Sequence, residues 1–133
     1  MKIDYFTVLP SGPNGALQTH CLTEGDWYRQ LDEEWERAVH YGAGIIQIRQ
    51  RGVELRIPIE FGFGYVLQYL KQFFEAEQKE PSIRKRLQAQ LDWIADGLPI
   101  KLQREAEKII IWGDQAYRVS RRPFLKALSR IVE

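Results

Sequence analysis

Cys21 is the single cysteine of the chain, and a histidine, His20, stands directly before it. A thiol beside an imidazole base is the pairing that cysteine nucleophiles use. Both residues fall in a segment, 17–22, whose pattern predicts a strand, and neighbouring side chains of a strand point to opposite faces. The two groups therefore cannot pair with each other, and we interpret Cys21 as a structural thiol.

Metal and phosphate chemistry have equally little support. The second histidine, His40, does not give zinc-ligand spacing with His20 and Cys21. The run Gly62-Phe63-Gly64 stands between a predicted strand and a predicted helix, but the third glycine and the Lys-Ser/Thr pair of a phosphate loop are absent. We expect a glycine-assisted turn there. The sequence thus predicts no enzyme, no catalytic residues, no metal and no cofactor.

A protein partner is the first of two binding hypotheses. The chain has 4 Trp and 6 Tyr, more than the predicted core stripes require, and such residues are frequent in interface hot spots. Charge supplies the candidate contacts on the solvent side of a predicted helix, 24–41, and on the polar face of a predicted hairpin, 45–61. The candidate partner-binding residues are Asp32, Glu33, Glu36, Arg49 and Arg56. The partner is another protein or a second copy of this chain.

Nucleic-acid binding is the alternative. Residues 1–81 carry 8 basic and 12 acidic side chains, a net charge of −4, whereas residues 82–133 carry 11 basic and 6 acidic, a net charge of +5. A basic half could contact phosphates. The candidate residues for that interaction are Arg84, Lys85, Arg86, Arg104, Arg121 and Arg122.

The composition is that of an ordinary globular protein, with 133 residues, 44% hydrophobic and 28% charged. This length predicts one α+β domain over 1–133, with a seam near 80–82 as the one plausible subdomain boundary. The sequence begins without a long apolar run and contains no run of 18 apolar residues, so we expect neither a signal peptide nor a membrane span. One cysteine fits the reducing cytoplasm.

The stretch 45–61 is the strongest structural signal, because apolar residues alternate on both sides of Arg51-Gly52. A two-residue turn there places Ile48 opposite Leu55 and collects the aliphatic side chains on one face. Pro58 cannot donate a ladder hydrogen bond on its far side, so the second strand is predicted to be a sheet edge.

The remaining elements complete an α+β fold: an antiparallel sheet built from β-hairpins, with helices packed on one face. Strands are predicted at 2–9 and 17–22, helices at 65–79 and 82–96, a hairpin at 109–120 around Gly113-Asp114, and a final helix from Ser120. Residues 98–108 are ambiguous, and propensity favours a helix there. The basic first turn of helix 82–96 opposes the helix dipole, so we expect a compensating partner.

Overall fold

The computed structural model describes residues 1–9, 12–21, 37 and 39–130. It has two antiparallel sheets and helices, which confirms the predicted α+β class. The strands are β1 (Lys2–Leu9), β2 (Gln18–Cys21), β3 (Gly44–Gln50), β4 (Val53–Ile59), β5 (Lys101–Arg104), β6 (Lys108–Trp112) and β7 (Ala116–Ser120). The helices of eight or more residues are α1 (Phe63–Glu77), α2 (Pro81–Ala95) and α3 (Arg121–Ser129), and residues 39–41 are also helical.

The first sheet has the order β2-β1-β3-β4, so β4 is an edge strand as the position of Pro58 predicted. The register of the central hairpin is also confirmed, because Ile48 lies opposite Leu55 and Ile46 opposite Ile57. Arg51 and Gly52 both have positive φ, 51° and 79°. Positive φ at both central positions defines a type I′ turn, whose twist matches that of the strands.

The outer edge of β4 is covered at one point. The Tyr117 hydroxyl lies 3.2 Å from the carbonyl oxygen of Arg56 and 2.7 Å from a carboxylate oxygen of Asp114. At this position of the ladder the Arg56 carbonyl points away from β3, so the tyrosine occupies an acceptor that an added strand would need. The edge is therefore less open to pairing than the sequence suggests.

The second sheet, β5-β6-β7, corrects two predictions. The expected helix within 98–108 is wrong: residues 101–104 form β5, which pairs with β6 and buries Leu102 completely. A two-residue type II′ turn at Gly113-Asp114 also predicts that Ile110 and Trp112 share a face with Tyr117 and Val119. This register is wrong, because Ile109 faces Val119 and Ile111 faces Tyr117. These four side chains and Leu102 are all buried in the core, and this gain in burial outweighs both the helix propensity of the segment and the preference for a two-residue turn.

The turn of that hairpin accordingly contains three residues, Gly113, Asp114 and Gln115. The N–H of Gly113 donates to the carbonyl oxygen of Gln115 at 3.0 Å. Gly113 does not have the positive φ that the predicted type II′ turn requires at its first position. The odd loop length sends Trp112 outward, where its indole N–H donates to Gln103 at 2.8 Å.

The helices and both sheets share one buried cluster, which contains Ile48 and Ile57 of the first sheet and Ile109 of the second. Phe63, Val66 and Phe73 of α1 are fully buried in it. Tyr69 joins α1 to β5, since its hydroxyl accepts the N–H of Leu102 at 2.9 Å. Helix α1 thus lies against both hairpins.

Helix boundaries shift slightly from the prediction. The sequence suggests Ser82 as the N-cap of the helix that follows residue 81. In the structure helix α2 begins at Pro81 with Glu80 as its N-cap, so that assignment is wrong. Proline fits the first helical position because its missing N–H has no partner there in any case. Helix α3 begins after Ser120 with Pro123 in its first turn, as expected. Most of the predicted helix 24–41 lies outside the described residues.

Candidate functional site

His20 and Cys21 are neighbours on strand β2. Strand β2 places His20 opposite Thr7 and Cys21 opposite Phe6, so the two side chains point to opposite faces as expected. Within the ranges that the structure describes, no group of three or more His, Cys, Asp or Glu side chains is placed to hold a metal ion.

His40 belongs to a small aromatic cluster at the start of α1. Its ring centroid lies 4.2 Å from that of Tyr65 and 4.9 Å from that of Tyr41. The backbone of Gly64 packs against the same imidazole, and a Cβ at that position would collide with it. Gly62 takes the left-handed conformation at the helix N-cap, with φ of 71°. The Gly-Phe-Gly run is thus a packed strand-to-helix turn, as the sequence predicts.

Burial raises the pKa of two core tyrosines, Tyr5 and Tyr69. Desolvation raises the pKa of Tyr69 to about 12, although its hydrogen bond with the Leu102 backbone lowers it in part. Burial alone raises the pKa of Tyr5, whose hydroxyl makes no hydrogen bond within the described part of the chain. Both rings contact core residues, and neither lies in an open cleft, so we interpret them as structural.

Helix α2 exposes an unusual amount of apolar surface. Trp93 is 80% exposed, Ile83 45% and Ile94 41%, and Leu87 is half-buried beside them. These four residues, which we call the α2 apolar face, fall within about 120° of one another at 100° per residue. The buried side of the helix is narrow, since Leu91 and Ala95 are its buried residues. In the sequence, Ile83, Leu87 and Ile94 hold helical spacing, and in the structure Ile83 and Ile94 are open to solvent.

A shallow groove of about 270 Å³ runs along this face, between α2 and α1. Its floor is apolar and its rim is polar. The residues lining it are Gln72, Glu75, Ala76, Lys79, Leu87, Gln90, Leu91 and Ile94. Such a groove admits an aliphatic or aromatic side chain of a partner and offers polar groups around it.

A second feature is a buried carboxylate surrounded by arginines. The side chain of Glu77, at the end of α1, is 3% exposed. Arg121 donates to its Oε2 from Nη2 at 2.6 Å and from Nε at 3.1 Å. Arg84 Nη1 lies 3.7 Å from Oε2, and Arg104 Nη1 lies 3.5 Å from Oε1. The ends of four elements meet at this point, which we call the Glu77 cluster.

The Glu77 cluster changes the interpretation of the basic half. Three of the six candidate nucleic-acid contacts, Arg84, Arg104 and Arg121, point at one internal carboxylate. The other three candidates, which are Lys85, Arg86 and Arg122, are exposed. The compensating partner expected for the basic start of α2 is thus found, because Glu77 pairs with Arg84. The sequence signal for the cluster was this reversed charge at the helix terminus.

Of the five candidate partner-binding residues, the structure describes two. Asp32, Glu33 and Glu36 lie outside the described residues. Arg49 and Arg56 are exposed on the outer face of the central hairpin, as predicted. The cross-strand pair expected between Arg49 and Glu54 is in register, but the ion pair of Glu54 is made with Arg56 at 3.1 Å.

Helices in the described ranges are all too short or too polar to cross a membrane. Comparison with protein-family models, with curated proteins and with solved structures finds no significant match to this chain. A functional interpretation therefore rests on the residues of the chain itself.

Proposed function

We propose that this protein is a non-enzymatic, cytoplasmic binding protein whose ligand is another protein, held on the α2 apolar face. The observation that carries the proposal is the exposure of Trp93, Ile83 and Ile94 beside a groove on the same helix. Large apolar side chains grouped on one surface, with a polar rim, mark interaction sites more often than isolated ones do. Tryptophan is among the residues that contribute most to such interfaces.

Charge around the face narrows the chemistry of the partner. The N-terminal half of α2 carries Arg84, Lys85 and Arg86 and no acidic residue, and Lys85 and Arg86 are exposed. A complementary partner segment has an apolar side chain that enters the groove and acidic residues that face the start of α2. Such charges mainly guide the approach and select the orientation, whereas the apolar contact supplies most of the affinity.

The nucleic-acid alternative has less support. A nucleic-acid backbone presents many phosphates and needs cations spread over an exposed surface, whereas three of the six candidates converge on the single carboxylate of Glu77. Lys85, Arg86 and Arg122 remain available, and the partner proposal uses the first two of them. A salt titration of DNA or RNA affinity tests the alternative directly, because counterion release gives steep log–log dependence.

The proposal is tested by affinity capture from native lysate with the wild-type chain, the variant Trp93→Ser and the matched control Trp112→Ser. Trp112 is also exposed, at 44%, but it lies at the end of strand β6 and not on helix α2. We expect a set of proteins that the wild type and the control retain and that Trp93→Ser loses. Nuclease treatment of the lysate leaves that set unchanged if the contact is protein to protein.

Two results would contradict the proposal. One is a set of captured proteins that is the same for all three chains. The other is a set that disappears after nuclease treatment, which would favour the nucleic-acid alternative. Sedimentation of the purified protein adds a separate arm: dimerisation that Trp93→Ser abolishes identifies a second copy as the partner.

A further inference from the structure

The Glu77 cluster carries more positive charge than its carboxylate neutralises. One carboxylate faces three guanidinium groups, which leaves a formal charge of +2. Glu80, Glu105 and Glu107 are close in sequence to these arginines, but their exposed carboxylates make no ion pair with the described residues. Placing uncompensated charge in a partly buried position is unfavourable unless a counter-charge is supplied.

Hydrogen bonding in the cluster is also incomplete. Both hydrogen bonds to Glu77 come from Arg121. Arg84 and Arg104 lie at ion-pair distances of 3.7 and 3.5 Å, and their guanidinium groups donate no hydrogen bond to the described residues. The Nε of Arg84 is buried and has no hydrogen-bond partner among the residues that the structure describes. Each guanidinium has five N–H donors, so the cluster has unused donors as well as unused charge.

We propose that the Glu77 cluster is an anion site and that a small phosphate group, bound mainly by Arg84 and Arg104, completes it. A phosphate group carries close to two negative charges at neutral pH, which matches the excess of the cluster. Its oxygens accept the paired N–H groups of guanidinium in a bidentate arrangement. The inference is independent of the protein-binding proposal.

The site is open enough for such a ligand to enter. The side chain of Arg104 is 33% exposed, that of Arg121 23% and that of Arg84 17%, whereas Glu77 beneath them is 3% exposed. The carboxylate is therefore buried, whereas each of the three arginine side chains keeps part of its surface in contact with solvent. Arg121 already donates two hydrogen bonds to Glu77. Arg84 and Arg104 donate none to it, so their N–H groups are the ones that can bind an added anion.

The experiment measures the melting temperature and phosphate binding in a phosphate-free buffer, with sodium phosphate added against sodium chloride of equal ionic strength. At a phosphate concentration about ten times Kd, we expect Tm to rise by about 5 °C over chloride. Broadening of the phosphate ³¹P resonance measures binding without heating. Phosphoserine in a short peptide is titrated in parallel, to separate the free ion from a phosphate carried on a larger molecule.

Two arginine variants provide the specific comparison. Arg104→Gln removes one guanidinium group, with its charge and its paired N–H donors, from the site. We expect this change to weaken phosphate binding about 10- to 100-fold. Arg118→Gln is the matched control, since Arg118 is exposed on β7 and makes no contact with Glu77. This variant should bind as the wild type does. Comparing the two variants in the same salt also corrects for the general stabilisation that such anions produce.

Glu77→Gln should change the affinity for phosphate in the opposite direction to Arg104→Gln. Removing the carboxylate raises the local positive charge, so this variant should bind phosphate more tightly although it is less stable without it. Three results would overturn the inference: no response beyond chloride, equal responses of Arg104→Gln and Arg118→Gln, or a folded Glu77→Gln protein that binds no better. If Glu77→Gln does not fold, the arginine pair still decides the question.

Discussion

Replacing Glu77 by glutamine should be the most damaging single polar substitution in the described part of the protein. The change keeps the shape of the side chain and removes its charge. Arg121 can still donate to the amide oxygen, but Arg84, Arg104 and Arg121 then repel one another with no anion between them. The free energy of unfolding therefore falls through two effects, lost attraction and unopposed repulsion.

The magnitude follows from the distances. Two unit charges about 4 Å apart attract by about 4 kcal/mol at an effective dielectric constant of about 20. Glu77 has three partners at 2.6, 3.5 and 3.7 Å, but their mutual repulsion and the desolvation of all four groups offset most of this attraction. Removing one member of a buried ion pair costs about 3–5 kcal/mol. Since the arginines are partly exposed, we expect a value near ~3 kcal/mol for Glu77→Gln.

Urea denaturation in phosphate-free buffer measures this loss. A protein of this length has a stability of roughly 7–20 kcal/mol, so the variant should remain folded, with Tm lowered by about 10 °C. Glu75→Gln is the matched control, because Glu75 is exposed two residues earlier on the same helix. It should change the stability by less than about 0.5 kcal/mol.

Two further measurements separate charge from packing. Salt screens repulsion, so the loss caused by Glu77→Gln should shrink as ionic strength rises. The double variant Glu77→Gln/Arg84→Met removes one repelling charge and should recover part of the loss. The reasoning is refuted if Glu77→Gln is as stable as Glu75→Gln, or if removing Arg84 from the glutamine variant lowers stability further by the full amount seen in the wild type.

Three other substitutions test the fold. Tyr69→Phe leaves the buried N–H of Leu102 without its acceptor and should lower stability by about 1–3 kcal/mol in urea denaturation at neutral pH. The pKa of Tyr69 is raised from 10.0 to about 12 in the folded protein, so the contribution of the neutral hydroxyl to the free energy of unfolding is full below pH 10 and is lost as the pH rises toward 12. Stability measured over a pH series should therefore decline less steeply at alkaline pH in Tyr69→Phe than in the wild type. Arg51→Asn should stabilise the protein by about 0.5–1 kcal/mol, because asparagine adopts positive φ more readily, and an unchanged urea midpoint would contradict the type I′ assignment. Gly64→Ala should lower Tm, because its Cβ meets the ring of His40, and unchanged melting would show that this contact is not tight.

The strand register of the central hairpin could be predicted because its hydrophobic pattern is compatible with only one register. A one-residue slip would move Ile46 and Ile48 to the solvent face, so burial and turn length agree on one register. The second hairpin lacks that constraint. Ile109, Ile110 and Ile111 follow one another without alternation, and all three are buried, so either parity places isoleucine on the core face. Its register depends on β5, which sequence propensity assigned to a helix.

The α2 apolar face shows a limit of periodicity. Ile83, Leu87, Leu91 and Ile94 keep helical spacing, which predicts a common face, and in the structure they do share one side of the helix. Spacing cannot say whether a neighbouring element covers that side. Helix α1 covers only the part near Leu91 and leaves Ile83 and Ile94 exposed. Hence the pattern predicted the helix but said nothing of what covers its apolar side, and the exposed remainder is the surface proposed here for binding.

Counting charges along the chain does not show where the arginines of the basic half point, for a similar reason. The excess of positive charge after residue 82 is real, but Arg84, Arg104 and Arg121 lie on three different elements that converge on a carboxylate from the acidic half. Convergence of this kind depends on the ends of α1, α2, α3 and β5 meeting in space, which no local pattern encodes. A basic segment therefore need not produce a basic surface, and an acidic helix end can be the internal counter-charge that holds it. Because three arginines face one carboxylate, the cluster keeps an excess positive charge, and this excess is the basis for proposing that it binds a further anion.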